Sequence, residues 1–111
     1  METPVSTWMG RWVRCRLMGP PFFEVMKAYD KAASHGVQID WETLVTHRLV
    51  SGSLDSLISG LIYAKERGVK MSIACACARD LYARAKYELC LKDWLQPVID
   101  AGIDDISKAP L

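Results

Sequence analysis

Gly36-Val37-Gln38-Ile39-Asp40 and Gly68-Val69-Lys70-Met71-Ser72 match position by position, with 32 residues from Gly36 to Gly68. Each reads as a glycine that stops a helix, an apolar-polar-apolar connector, and a residue that caps the next helix. Glycine suits the stop because it enters the left-handed backbone region without a Cβ clash. Under the same shift Ala32 falls on Ala64 and Leu49 on Leu81, and Gly102-Ile103-Asp104-Asp105-Ile106 forms a weaker copy 34 residues after Gly68. The period is that of helical-hairpin repeats, although tetratricopeptide and ankyrin signatures are absent. Any series of helix, glycine and cap is somewhat self-similar, so a 32–34-residue helical repeat and an ordinary run of capped helices both remain open.

Working outward, apolar residues recur at three- and four-residue steps on either side of both stretches. Phe22, Val25, Met26, Tyr29, Ala32 and Ala33 define a helix over Phe22 to Ser34, which Pro21 is placed to open. Asp40 caps a helix through Trp41, Leu44, Val45, Leu49 and Val50, and Ser51-Gly52 stops it. Ser53 caps another, with Leu54, Leu57, Ile58, Leu61 and Ile62 as its buried stripe and Gly68 as its end. Ser72 caps a longer helix from about Ile73 to Leu95, with Pro97 at or just beyond its end. A short turn through Val98, Ile99 and Ala101 reaches Gly102. The expected fold is a small all-α domain of four to five helices, with Gly36, Asp40, Gly52, Gly68 and Ser72 as structural caps. Residues 1–19 form a basic, Trp-rich segment, 20–103 the helical domain and 104–111 a loose tail.

At 111 residues the chain is one domain, and 50% hydrophobic with 24% charged residues is the composition of a globular protein. Lys and Arg number 14 against 13 Asp and Glu, a net charge of +1 that provides no field for nucleic acid. No apolar run approaches the roughly 20 residues that cross a bilayer. Cys75 and Cys77 lie two apart in an alanine-rich helical stretch and point away from each other, so Cys15, Cys75, Cys77 and Cys90 are expected as reduced thiols in a cytoplasmic protein.

Candidate chemistry is sparse. His47 has no carboxylate, Ser or Cys at a sequence spacing that would activate it, and reads as a structural residue. His35 fits a helix C-terminus, where an imidazolium complements the dipole. Asp104-Asp105 reads as solvated charge. No phosphate loop, nucleophile elbow or zinc motif occurs. The expectation is a non-enzyme without metal or cofactor.

The N-terminal segment carries the clearest physical signal. As a helix it places Trp8, Trp12 and Cys15 on one face, with Arg11, Arg14 and Met18 alongside. Aromatic anchors beside cationic heads suit an anionic headgroup layer, each Arg adding about 1 kcal/mol near such a surface. The same tryptophans equally suit packing on the helical body.

Arg14-Cys15-Arg16-Leu17, Pro20-Pro21, Val25-Met26-Lys27-Ala28, His35-Gly36-Val37-Gln38-Ile39 and Leu44-Val45-Thr46-His47-Arg48-Leu49-Val50-Ser51-Gly52-Ser53-Leu54 together resemble the bacterial flotillin-like FloA family. The similarity extends through Leu57-Ile58-Ser59-Gly60-Leu61-Ile62-Tyr63-Ala64 and Ala76-Cys77-Ala78-Arg79-Asp80-Leu81, covering about residues 11 to 85. The family's Gly-Gly is Ser51-Gly52 here, and its hydrophobic anchor has no counterpart in these residues. The resemblance implies a non-catalytic, oligomerising membrane scaffold, peripheral on the inner face of the membrane. Trp8, Arg11, Trp12, Arg14 and Arg16 would then meet anionic lipid. Leu44, His47, Leu49, Leu54, Leu57, Ile58, Leu61 and Ile62 would form the core or a self-association face. The alternative is a soluble helical adaptor that binds a partner helix.

Overall fold

Among the described residues six α-helices and one short 3-10 turn succeed one another: α1 Pro4–Met18, α2 Phe22–Ser34, α3 Trp41–Leu49, α4 Leu54–Glu66, α5 Ile73–Tyr87, α6 Leu91–Asp100 and the turn Ile106–Lys108. The structure, a computed structural model, describes residues 4–109, with side chains from Trp8 onward except Met18. The expected positions of Met18 and of the outermost residues of segments 1–19 and 104–111 therefore lie outside the described residues. The fold is all-α, with six helices where four to five were expected.

The connectors explain how the helices turn. Gly36, Gly68 and Gly102 have φ of +73°, +70° and +93°, and after each the next amide reaches back five residues. These bonds are Val37 N to Ala32 O at 2.8 Å, Val69 N to Ala64 O at 2.9 Å and Ile103 N to Val98 O at 3.4 Å. They close the exposed carbonyls of three helix ends in one way. At the end of α3 the left-handed residue is Ser51, with φ +69°, so Gly52 is not the conformational cap expected of it. Ser53 and Ser72 cap α4 and α5 by accepting from the amides of Ser56 and Cys75. Asp40 occupies the cap position of α3 but its carboxylate makes no capping bond.

Replacing Gly68 with Val is expected to cost about 1–2 kcal/mol, because nothing crowds the position and only the left-handed backbone resists. Gly36→Val should cost somewhat more, since its Cβ would lie 2.6 Å from Lys65 Nζ, which donates to the Gly36 carbonyl. Thermal unfolding of both variants checks this, and unchanged midpoints would remove the cap assignment.

The expected single helix from Ile73 to Leu95 is two. Glu88 adopts φ +57°, and Leu89 N bonds to Ala83 O, which ends α5 without a glycine. Cys90 precedes α6 without a capping side chain of its own, and Ser56 Oγ of α4 instead accepts from Leu91 N at 2.8 Å. Pro97 falls inside α6 rather than at or beyond the end of a helix.

α4 is the central element, packed against α2, α3, α5 and α6. Leu54, Leu57, Ile58 and Leu61 meet Val25, Ala28 and Ala32 of α2, Ala76 and Ala83 of α5, and Leu91 and Leu95 of α6 in one core. Each large side chain so buried contributes about 1.5–3 kcal/mol. Of the residues expected as core or self-association face, Leu44, His47, Leu54, Leu57, Ile58 and Leu61 are buried and Ile62 is half-buried. Leu49 is the exception and faces solvent.

The described part of the segment expected to be loose, residues 104–109, instead docks. Lys70 N donates to Asp104 O at 2.8 Å and Ile106 N to Lys70 O at 3.0 Å, joining the second connector to the third. Ile106 and Ala109 are buried, and Arg79 holds both their carbonyls. Extended connectors carry unpaired amides, and pairing two of them satisfies both while burying Ile106.

Candidate functional site

α1 divides into two faces. Inward, Trp8 meets Phe22, Tyr29 and Trp41 edge-on at centroid separations of 6.1, 6.2 and 5.5 Å. The Arg11 guanidinium lies 4.9 to 5.0 Å from the ring centres of Trp8, Tyr29 and Trp41. Half-buried contacts of this kind hold a cation by about 0.5–2 kcal/mol, so Arg11 fastens α1 to the body. Cys15 is buried on the same side, and burial followed by the Glu42 carboxylate pushes its thiol pKa up. Trp8 and Arg11 therefore belong to the fold, contrary to their expected place at a lipid surface. Trp12 and Cys15, expected on one face, are separated between the outside and the core.

Outward, Met9, Val13 and Leu17 follow one another at four-residue steps, with Trp12 beside them. Leu17 is 82% exposed and Trp12 45%. Arg16 lies over the Trp12 ring at 5.2 Å, and Arg14 pairs with Glu42 of α3. The helix contains no carboxylate.

The second region joins four helices through one buried network. His47 of α3 donates from Nε2 to Asp80 Oδ2 of α5 at 2.6 Å, with both side chains almost wholly buried. Ser56 of α4 donates to Asp80 Oδ1 at 2.5 Å while accepting from Leu91 N of α6. Arg84 stands 3.9 Å from the same carboxylate.

Burial works against charge on both partners, but their mutual hydrogen bond wins. Asp80 and then the adjoining Cys77 push the His47 pKa up to about 9. Hydrogen bonds from His47 and Ser56 hold Asp80 below the usual carboxylate value. At neutral pH this is an imidazolium–carboxylate pair, and both ring N–H groups are donors. Nδ1 is buried without an acceptor.

His47 and Cys77 share the wall of an open cleft of about 430 Å³ between α3 and α5, with Glu42, Thr46, Val50 and Leu81 around them. Gly52 keeps the network intact, because a Cβ there would lie 2.3 to 2.6 Å from the imidazole. That close approach is what requires a glycine at 52.

Asp80 is 33 residues from His47, and Ser56 and Cys77 also come from other helices. Linear spacing offers no partner for His47, and tertiary contact supplies Asp80. The available sequence signal was the helical stagger of Cys77, Asp80 and Arg84, which aligns them on one face of α5. His35 does sit at the C-cap of α2, its Nδ1 2.9 Å from Lys31 O. Among the described residues no group of three His, Cys, Asp or Glu is placed to hold a metal, and no helix is long and apolar enough to cross a membrane.

Compared with family models, with curated proteins and with solved structures, the chain matches none of them.

Proposed function

We propose that the protein is a non-enzymatic, membrane-associated scaffold or interaction module, which adsorbs to the anionic inner face of a membrane through the outer side of α1. The observation that carries this reading is the exposed row Met9, Val13 and Leu17 with Trp12, on a helix whose only charged side chains are arginines. An apolar row with cationic heads at its flank is the pattern of a helix lying in a headgroup layer. The attraction is weak, because Arg14 is paired with Glu42 and Arg11 is enclosed by rings, which leaves Arg16 as the freest cation. Binding then rests mainly on apolar insertion, at about 25 cal/mol for each Å² removed from water.

The likeness to flotillin-like proteins is part of this proposal, as are self-association and a 32–34-residue repeat. The recurring glycine closures at Gly36, Gly68 and Gly102 support the repeat.

Flotation with anionic and neutral vesicles at low and high salt tests the reading, beside a Trp12→Ser, Leu17→Ser double variant. The protein is expected to float with anionic vesicles, less so at high salt, and the variant to stay in the dense fraction with an unchanged melting temperature. Absence of flotation would overturn the membrane reading and favour the soluble adaptor, in which the same row enters a groove on a partner protein.

A further inference from the structure

The cleft between α3 and α5 is bounded by helices that rest mainly on other neighbours, α3 on α2 and α4, and α5 on α4 and α6. Its volume of about 430 Å³ lies in the range of small-molecule sites, about 300–1,000 Å³. Val50 on one wall and Ala74 and Leu81 on the other make the lining chiefly apolar.

One polar group is built into that lining. The His47 side chain is 1% exposed, its Nε2–H donates to the Asp80 carboxylate at 2.6 Å, and Gly52 closes over the same end of the ring. His47 also lines the cleft, and the polar atom it has left to offer there is Nδ1, which is buried and finds no acceptor in the protein. A buried donor in that condition is rare, because it forfeits its bond to water and gains none in return. An acceptor on a bound molecule restores the bond. The charge of the molecule follows from the surroundings. Asp80 already balances the imidazolium and Glu42 stands at the edge of the cleft, so an anion would be desolvated without a cation to meet it. A cation would face the imidazolium itself.

We infer that this cleft binds a small uncharged molecule with an apolar body and one carbonyl, a ketone or amide, whose oxygen accepts from Nδ1–H of His47. The apolar body lies against Val50, Ala74 and Leu81, and the carbonyl points to the ring. Because Nδ1 is covered, the oxygen reaches it after a small shift of wall side chains, for which the half-buried Cys77 and the exposed Val50 have room. Asp80 and Ser56 hold the ring in place from behind and do not touch the ligand. The inference is independent of membrane adsorption, since no residue of α1 lines the cleft.

Three probes of similar shape separate the possibilities: acetophenone has a carbonyl, ethylbenzene has no acceptor and benzoate is an anion. In titrations of nitrogen-15-labelled protein followed by NMR, acetophenone is expected to shift the amides of Thr46, Val50, Ala74 and Leu81 saturably, and to move the Nδ1–H signal of His47. It should bind on the order of tenfold more tightly than ethylbenzene, the worth of one recovered hydrogen bond. Benzoate should bind more weakly than acetophenone. Ala74 is exposed on α5 at the cleft, so Ala74→Trp fills the mouth without entering the core and should weaken acetophenone binding tenfold or more, with the melting temperature unchanged. Absence of saturable shifts with acetophenone would overturn the inference, as would shifts scattered beyond the cleft. Equal affinity for acetophenone and ethylbenzene would show an apolar crevice in which Nδ1 takes no part, and tighter binding of benzoate would show the wrong charge class; either overturns it. If Ala74→Trp melts lower than the parent, the Nδ1–H signal of the unaltered protein decides.

Discussion

Asp80→Ala is expected to lower stability by about 3–5 kcal/mol, the range for removing one partner of a buried ion pair. The loss has several parts. His47 keeps its burial but loses the acceptor of its Nε2–H, and Ser56 loses the acceptor of its hydroxyl. His47 can shed its proton in response, which places the cost nearer the lower end. Because Ser56 also accepts from Leu91 N, the start of α6 should loosen with it. For a chain of this size the melting temperature should fall by upwards of about 10 °C. A variant that melts within a few degrees of the parent would show that the network is dispensable to the fold.

The same pair sets a pH dependence. His47 has its pKa raised from 6.5 to about 9, so its contribution is complete below pH 6.5 and is lost as the pH rises through about 9. Asp80 is shifted the other way from 3.8, so its contribution is present above that value and is lost as the pH falls through its depressed folded value. Stability should therefore be flat from about pH 4 to 6.5 and decline from there to pH 9. Urea midpoints measured across this range check it. In Asp80→Ala the alkaline decline should be much reduced, because the raised affinity of His47 for its proton comes chiefly from Asp80.

Gly60→Val should have the next largest effect. A Cβ at Gly60 would stand 2.4 Å from Leu91 Cδ2, 2.5 Å from Cγ and 2.9 Å from Cβ. Leu91 is fully buried, and its own Cβ is among the clashing atoms, so a change of rotamer cannot clear the space. α6 must move away from α4. Replacing a mid-helix glycine gains up to about 1 kcal/mol in helix propensity, while overpacking costs about 1–3 kcal/mol, and the branched side chain takes the cost to the upper end or beyond. Net destabilisation is the expected outcome in chemical denaturation. A Gly60→Val, Leu91→Ala double variant should be less unstable than the sum of the two single changes. Strict additivity would mean that the helices do not meet at Gly60.

Local information was sufficient for much of the fold. The stripe of α2, the serine caps at Ser53 and Ser72 and the stops at Gly36 and Gly68 were all legible, because each depends on residues within about one helical turn. The break between α5 and α6 was not legible. It uses Glu88 in a left-handed conformation, where glycine would have signalled a turn, and it borrows its cap from Ser56 on another helix. Nor was the tail, whose amides pair with a connector some 35 residues earlier in the chain.

The candidate sites divide in the same way. The basic, aromatic character of α1 was plain in the residues, but its partition into a packed face with Trp8 and Arg11 and an outer face with Trp12 and Leu17 required the position of Trp41. The sequence by itself determined the helical class, most helix limits and the identity of the cationic segment, because backbone preference and hydrophobic period act over a few residues. Only the tertiary structure decided that His47 is charged, which carboxylate charges it and which thiol stands beside it. Charge in a buried site depends on groups that meet through space, and these come together from α3 and α5, with Asp80 33 residues beyond His47 in the chain.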